Sequence, residues 1–232
     1  RAVKERFPSM YLHSFPPAET VHLARRHGIP VAEVIAALKD AGLDSMPGAS
    51  DMLVDRVRRM VSPNKITKDE WVEVMRALAA AGLKSSATMT YGLGETLEER
   101  VEHLDVVRGV QDETGILRAF IPWSFSPTRT RMADTIPATG VDYLKVVAVA
   151  RIYLDNIRFI QAGWLTEGHK LAQIALAMGA NDMGGVLTEE VVVKATGVET
   201  TADREGMVRV ISAAGRVPVQ RDSEYRTIRS YA

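Results

Sequence analysis

The stretch Ser86-Ala87-Thr88-Met89-Thr90-Tyr91-Gly92-Leu93-Gly94-Glu95-Thr96, "SATMTYGLGET", carries an apolar strand that breaks into a Gly-x-Gly-Glu turn and then into a helix start. Its β-branched and aromatic residues favour an extended backbone. Thr96 followed by Glu99 is a capping box that opens a helix. Thr88 and Thr90 share one face by strand alternation. That face lies either inside a barrel or under a helix layer, and we place it inside. The glycines permit a tight turn or the close approach of a ligand. A turn with a structural role alone does not call for two threonines and a tyrosine at the strand end.

The same unit recurs on both sides of this stretch. A helix ends at Gly or Ala-Gly, a short apolar strand follows, and a polar turn leads to the next helix. "VAEVIAALKDAG" runs into "LDSMPG", and "TKDEWVEVMRALAAAG" runs into "LKSSATMTYG". Apolar positions three and four apart mark the helices, with Gly42 and Gly82 as C-terminal stops, Thr67 with Glu70 as a second capping box, and Pro30 in a first turn. Strands are expected at 10–15, 43–46, 85–91, 118–123, 158–164 and 181–186. Helices are expected at 18–27, 30–41, 51–61, 68–82, 97–114, 140–156, 168–178, 188–196 and 203–214. "VPVQRD" is a terminal strand outside the main sheet.

Strands alternating with helices predict a parallel α/β fold. A closed β/α barrel needs eight strands, about 250 residues in all, and six are legible here. An open, doubly wound sheet would accept six, but no Gly-x-Gly-x-x-Gly follows the first strand. The opening "RAVKERFP" reads as the end of a helix. We therefore expect the last six units of a TIM-type barrel, with two upstream, and a C-terminal extension at about 187–232.

Charged residues are 25%, with 29 of each sign, so the formal net charge is zero and no basic surface points to nucleic acid or an anionic membrane. No apolar run is long enough to span a bilayer and no signal peptide is legible, so a cytoplasmic protein is expected. Cysteine is absent, which excludes disulfides, thiolate nucleophiles and cysteine-bound metal within these residues.

In a barrel the chemistry sits at the C-terminal strand ends. Those ends supply His13 and Ser14, Asp44 and Ser45, Thr88, Thr90 and Tyr91, Trp123 and Ser124, Gln161 and Trp164, then Asn181 and Asp182. Hydrogen-bonding side chains and indoles recur, while charge is sparse. Such a rim suits a polar organic ligand with hydroxyls and a ring, and not a hydrolase with paired carboxylates. Each residue also has a plain alternative: a loop-capping histidine, a turn-forming Asp44, core tryptophans, a capping Asn181. Other constellations fail. His22 and His27 lie five apart, not four as in a metal-binding helix. No nucleophile elbow or phosphate loop is present.

Read in order, "LHSFPPAETVHLAR", "GLDSMPGASDMLVDRVRRMVSPNKITKDEWVEVM", "SATMTYGLGETLEERVEHL", "AFIPWSF", "ARIYLDNIRFIQAGW", "GANDMGG" and "QRDSEYR" resemble a group of radical S-adenosylmethionine (SAM) enzymes. The group includes dehypoxanthine futalosine cyclase, aminofutalosine synthase and the FO-synthase subunit of deazaflavin biosynthesis. "DSMPG", "VSPNKI" and "FIPW" look most like the cyclase branch, whose members close a ring in dehypoxanthine futalosine on the futalosine route to menaquinone. The resemblance implies S-adenosylmethionine and a [4Fe–4S] cluster as cofactors, a nucleoside-like substrate and an external electron donor, with no nucleic-acid or membrane partner. It places the adenosyl group along Thr88, Thr90, Tyr91, Gly92 and Glu95, with Ser45 nearby. Strand-end position puts His13, Asp44, Trp123, Gln161 and Asn181 on the substrate side. No catalytic residue and no metal ligand is assigned.

Departures accompany the match. The family's Cys-x-x-x-Cys-x-x-Cys is absent from this chain. "GASD" stands where the cyclase shows "GGAE", "MRALAAAG" lacks a histidine, and "DETGILRAF" replaces "DETGGF". The chain by itself is therefore expected to be inactive and weakly stable. The alternatives are a sister enzyme of the group or a cluster-less nucleoside-binding homologue.

Overall fold

Two of the longer helices in the first half stop where a glycine follows. In α3 (Val31–Asp40) and α5 (Lys68–Ala80) the last helical residue precedes an Ala-Gly pair, with Gly42 at φ 101° and Gly82 at φ 72°. The Leu43 N–H reaches back to the Leu38 carbonyl and the Leu83 N–H to that of Leu78, closing each end. Pro30 stands one position before α3, as its N-cap. Thr67 caps α5 and Thr96 caps α6 (Leu97–Thr114) through reciprocal boxes with Glu70 and Glu99. Thr139 with Asp142 forms a third box, opening α7 (Gly140–Tyr153).

The structure is a computed structural model and describes residues 1–187, 194–197 and 201–232. The remaining elements are α1 (Ala2–Arg6), α2 (Pro17–His27), α4 (Asp55–Val61), β1 (Ser85–Tyr91), β2 (Leu117–Ser124), β3 (Phe159–Ile160), α8 (Trp164–Ala175), α9 (Arg204–Ala213), β4 (Val219–Arg221) and β5 (Thr227–Ser230). Strands β1, β2 and β3 form one sheet in that order. Parallel bridges His13–Ser45, Ser45–Lys84 and Gln161–Asp182 mark three further rungs, so all six expected strand positions are present.

Three of those positions are single bridges rather than the expected strands at 10–15, 43–46 and 181–186. Pro16 and Pro17 follow the first, after Phe15 at φ 58°, and Pro47 follows the second, and a proline has no N–H to extend a ladder. At the third, the Asp182 carboxylate takes the Gly184 N–H at 2.6 Å and turns the chain away. Helix α4 begins at Asp55 and not at 51, because Ala49 (φ 40°) and Asp51 (φ 48°) are left-handed. Helix α8 begins at Trp164 rather than 168, and Gly168 (φ 78°, ψ 161°) breaks it. Of the expected helix at 188–196, residues 188–193 lie outside the described residues and Lys194–Thr196 form a 3₁₀ turn.

The chain divides into two compact units, Arg1–Thr88 with Thr96–Ala119, and Met89–Glu95 with Phe120–Ala232. In the first, α2, α3, α5 and α6 pack on one another over Ile35, Trp71, Val74, Met75, Leu78 and Val107, all fully buried. In the second, α7 and α8 enclose Phe120, Tyr143, Val147, Ile160 and Ala172. The terminal "VPVQRD" strand is β4, which pairs antiparallel with β5 (Val219 opposite Ser230), outside the main sheet as expected.

Candidate functional site

In the second unit the end of β1 and its turn are tied from within. Gly92 (φ 85°) and Gly94 (φ 90°) take the positive-φ backbone that lets the chain reverse. The Glu95 carboxylate then accepts the Gly92 N–H at 2.8 Å and the Leu93 N–H at 2.7 Å. Those two amides are therefore bonded within the turn. Thr90 projects beside β2, where its hydroxyl accepts the Trp123 indole N–H at 3.1 Å. Tyr91 lies on the opposite strand face, with Ala87 and Met89, and is fully buried. Its ring therefore packs in the core and does not line the face that carries Thr88 and Thr90.

One residue beyond Trp123, Ser124 donates both its backbone N–H (2.9 Å) and its hydroxyl (2.6 Å) to Oε1 of Glu167. The Thr166 hydroxyl adds a longer bond of 3.3 Å to the same oxygen. Glu167 is held in the first turn of α8, its N–H bonded to the Gly163 carbonyl at 3.0 Å. The Gly163 N–H in turn donates to the Tyr143 hydroxyl at 2.7 Å, and burial pushes that phenol's pKa up. Ser124 was legible as a strand-end residue, but its partner Glu167 was not assigned from the sequence. The signal was an acid between two glycines, "GWLTEG", directly after a strand.

Gln161 sits on the rung opposite Asp182, its side chain against Gly184, where an added Cβ would stand 2.7 Å from Nε2. Asn181 does not line this rim. Its Oδ1 accepts from the Ile160 N–H (2.9 Å) and from Arg151 (2.9 Å), and its amide donates to the Arg158 carbonyl (3.0 Å). These bonds join α7 to β3, and one N–H of its amide has no partner among them.

In the first unit, two residues assigned from separate strands meet. His13 Nδ1 and the Ser45 hydroxyl lie 2.7 Å apart, with Ser45 buried. Crowding around the ring, and then the Arg118 guanidinium, lower the His13 pKa. Asp44 is directed elsewhere. It accepts the Leu12 N–H at 2.7 Å and pairs with Lys4 at 2.7 Å. Desolvation raises its pKa, but the Leu12 amide and the Lys4 ammonium outweigh this and hold it below the ordinary carboxylate value. Asp44 thus fastens α1 to the strand through its bonds to Lys4 and Leu12.

Thr88 belongs to a buried network behind the 48–54 loop. Its hydroxyl accepts the Asp51 N–H at 3.1 Å, and its backbone exchanges two 2.7 Å bonds with the Ser50 hydroxyl. Arg58 donates to the Ser50 and Met52 carbonyls, His103 Nδ1 accepts the Leu53 N–H at 2.9 Å, and Trp71 donates to the Gly48 carbonyl at 2.7 Å. Strained backbone of this kind persists only where its surroundings over-determine it. Thr88 is accordingly a scaffold residue of that loop.

A [4Fe–4S] cluster needs thiolate ligands. The chain has no cysteine, and among the described residues no group of three or more His, Cys, Asp or Glu side chains gathers as a metal site. The residues present therefore do not fit the cluster. At the ends of β1 and β2 the polar groups pair with one another, Trp123 with Thr90 and Ser124 with Glu167.

Residues 113–231 match the family described as the CofH/MqnC C-terminal region, and residues 5–107 match the radical SAM superfamily. The whole chain is 42% identical to cyclic dehypoxanthine futalosine synthase of Halalkalibacterium halodurans, and 99% of it is 41% identical to aminodeoxyfutalosine synthase of Thermus thermophilus. It spans 63% of the length of each of these relatives. The crystal structure of methylornithine synthase (PylB) shares the fold at a TM-score of 0.64 and 16% identity, over 94% of this chain and 61% of that one. The fold is thus the parallel, TIM-type β/α fold of radical SAM enzymes, of which these residues form a part. The CofH/MqnC match runs over more than half of the 232 residues, and on it the chain belongs to the CofH/MqnC family within the radical SAM superfamily.

Proposed function

We propose that the full-length protein is a radical SAM cyclase that converts dehypoxanthine futalosine to its cyclic form in menaquinone biosynthesis. The observation that carries the reading is Trp123 at the end of β2, the tryptophan of the cyclase-like "FIPW", with its indole bonded to Thr90. The likeness to a cyclic dehypoxanthine futalosine synthase over the whole chain supports it.

In this reading SAM and the [4Fe–4S] cluster supply the radical chemistry when bound, and these residues hold organic ligands. Thr90 and the turn from Gly92 to Glu95 border the adenosyl group, while Trp123 and Gln161 present an indole and an amide to the nucleoside. His13 and Ser45 offer a ring nitrogen and a hydroxyl in the first unit. Residues 187–232 are a C-terminal extension of the barrel. The protein works in the cytoplasm with an external electron donor. No helix among the described residues is long and apolar enough to cross a membrane.

The test is anaerobic reconstitution of the full-length protein with iron and sulfide, followed by addition of SAM, a reductant and dehypoxanthine futalosine. Cyclic dehypoxanthine futalosine is expected; its absence from a protein that still cleaves SAM removes the assignment. The comparable identity to aminodeoxyfutalosine synthase favours a second reading, a sister activity. Product formation with that enzyme's substrate alone would establish it. Nucleoside binding with no turnover in the reconstituted full-length protein would point to a binding homologue.

A further inference from the structure

Glu167 is anchored on one side only. Ser124 N–H, Ser124 Oγ and Thr166 Oγ all donate to Oε1, while among the described residues no donor reaches Oε2 and no lysine or arginine pairs with the carboxylate. Three donors on one oxygen fix the orientation of the carboxylate plane. Gly168 leaves helical geometry immediately afterwards, so the residue is carried on a single turn that stands between the end of β3 and the rest of α8. The neighbouring strand-end groups, Trp123 and Thr90, are bonded to each other. Glu167 is a charged group at these strand ends that combines fixed geometry with spare accepting capacity.

We infer that Glu167 is a specificity-determining residue whose Oε2 accepts a hydrogen bond from a hydroxyl of a bound sugar or sugar alcohol. The inference rests on the reading that this rim holds a polyhydroxylated nucleoside. A carboxylate oxygen binds a hydroxyl more strongly than a neutral acceptor does, and a site built around such a bond rejects an analogue that lacks the hydroxyl.

Glu167→Gln isolates the effect. The amide oxygen of glutamine still accepts from Ser124, so the tie to β2 survives, but an NH₂ donor replaces Oε2. The experiment is calorimetric titration of the full-length protein with dehypoxanthine futalosine, adenosine and 5-amino-6-(D-ribitylamino)uracil, together with thermal melting. E167Q is expected to weaken binding of the ligand that wild type accepts by about 10- to 100-fold, with a melting temperature close to that of wild type. Ser124→Ala removes one anchoring donor and leaves Oε2, so it is expected to cost less than about 5-fold in affinity. It stands in should E167Q fail to fold, and an S124A loss as large as 100-fold would then contradict the assignment. If wild type binds dehypoxanthine futalosine and E167Q binds it equally well, the inference falls and the cyclase reading stands. If wild type binds only another of the three and E167Q weakens that, the inference stands and the cyclase reading falls. If wild type binds none, both fall.

Discussion

The indole N–H of Trp123 and the hydroxyl of Thr90 meet at 3.1 Å across the ends of adjacent strands β2 and β1. The bond turns two residues that sequence reading assigned to different ligands into one unit. It holds a half-buried ring at a set angle beside the strand end.

Thr90→Val keeps the β-branched shape and removes the acceptor. It is expected to lower stability by about 1 kcal/mol, read by urea unfolding, whereas Thr90→Ser should retain most of the bond. Equal stability of the valine and serine variants would show that the contact contributes nothing.

Two glycines should respond to alanine with opposite signs. A Cβ at Gly48 would stand 1.8 Å from the Ser86 carbonyl oxygen, a backbone atom that cannot rotate away. Gly48→Ala is expected to cost about 3 kcal/mol or more, or to abolish soluble expression. At Gly109, inside α6, an added methyl meets nothing within 4 Å. Gly109→Ala is expected to stabilise by about 0.5–1 kcal/mol, seen as a higher denaturation midpoint.

His103 ties stability to pH. Burial first, and the Arg58 charge second, lower its pKa from 6.5 to about 3, so the folded protein keeps it neutral. An unfolded chain takes up the proton below 6.5 and the folded one does not, so the unfolded state binds more protons there. This contribution is complete above pH 6.5 and is lost as the pH falls toward about 3. Between pH 7 and 5 the loss is about 2 kcal/mol. His103→Gln, which can still accept the Leu53 N–H, should show a flatter dependence of unfolding free energy over that range. An unchanged slope would contradict the buried neutral imidazole.

Asp182 and Arg221 join the rung beside Gln161 to the β4–β5 hairpin. Arg221 grips the carboxylate with two nitrogens, the Nη2–Oδ1 bond being 2.9 Å, and lies over the Tyr225 ring. Asp182 is almost fully buried, so Asp182→Asn leaves a guanidinium short of its counter-charge and is expected to destabilise by about 3 kcal/mol. Arg221→Lys keeps the charge but loses the two-pronged geometry and should fall between. Limited proteolysis of the C-terminal segment reports the release: faster cleavage is expected in D182N than in R221K.

Periodicity and caps made the scaffold legible. β1 and α6 fall at the expected residues, because alternation ends at Tyr91 and the Thr96–Glu99 box opens the helix. Strand length at His13 and Ser45 was misjudged, since apolar runs persist after prolines have ended the pairing. β5 was missed because its four residues, TIRS, are all exposed and carry no alternation. His13 and Ser45 meet, as do Thr90 and Trp123, while Asp44 and Asn181 are bonded within the fold and Tyr91 is buried. Residue type and strand-end position do not say which way a side chain turns, nor whether a backbone amide claims it first. Glu167 escaped because it belongs to a helix start and reaches the strand end only through its contact with Ser124.

The self-tied turn after β1 has a chemical corollary. Glycine-rich strand-to-helix turns in α/β proteins commonly cradle phosphate with free amides at a helix start. Here the Glu95 side chain is a resident anion that has taken that cradle for itself. Two of the amides that such a turn offers to an outside anion are therefore filled from within the chain itself.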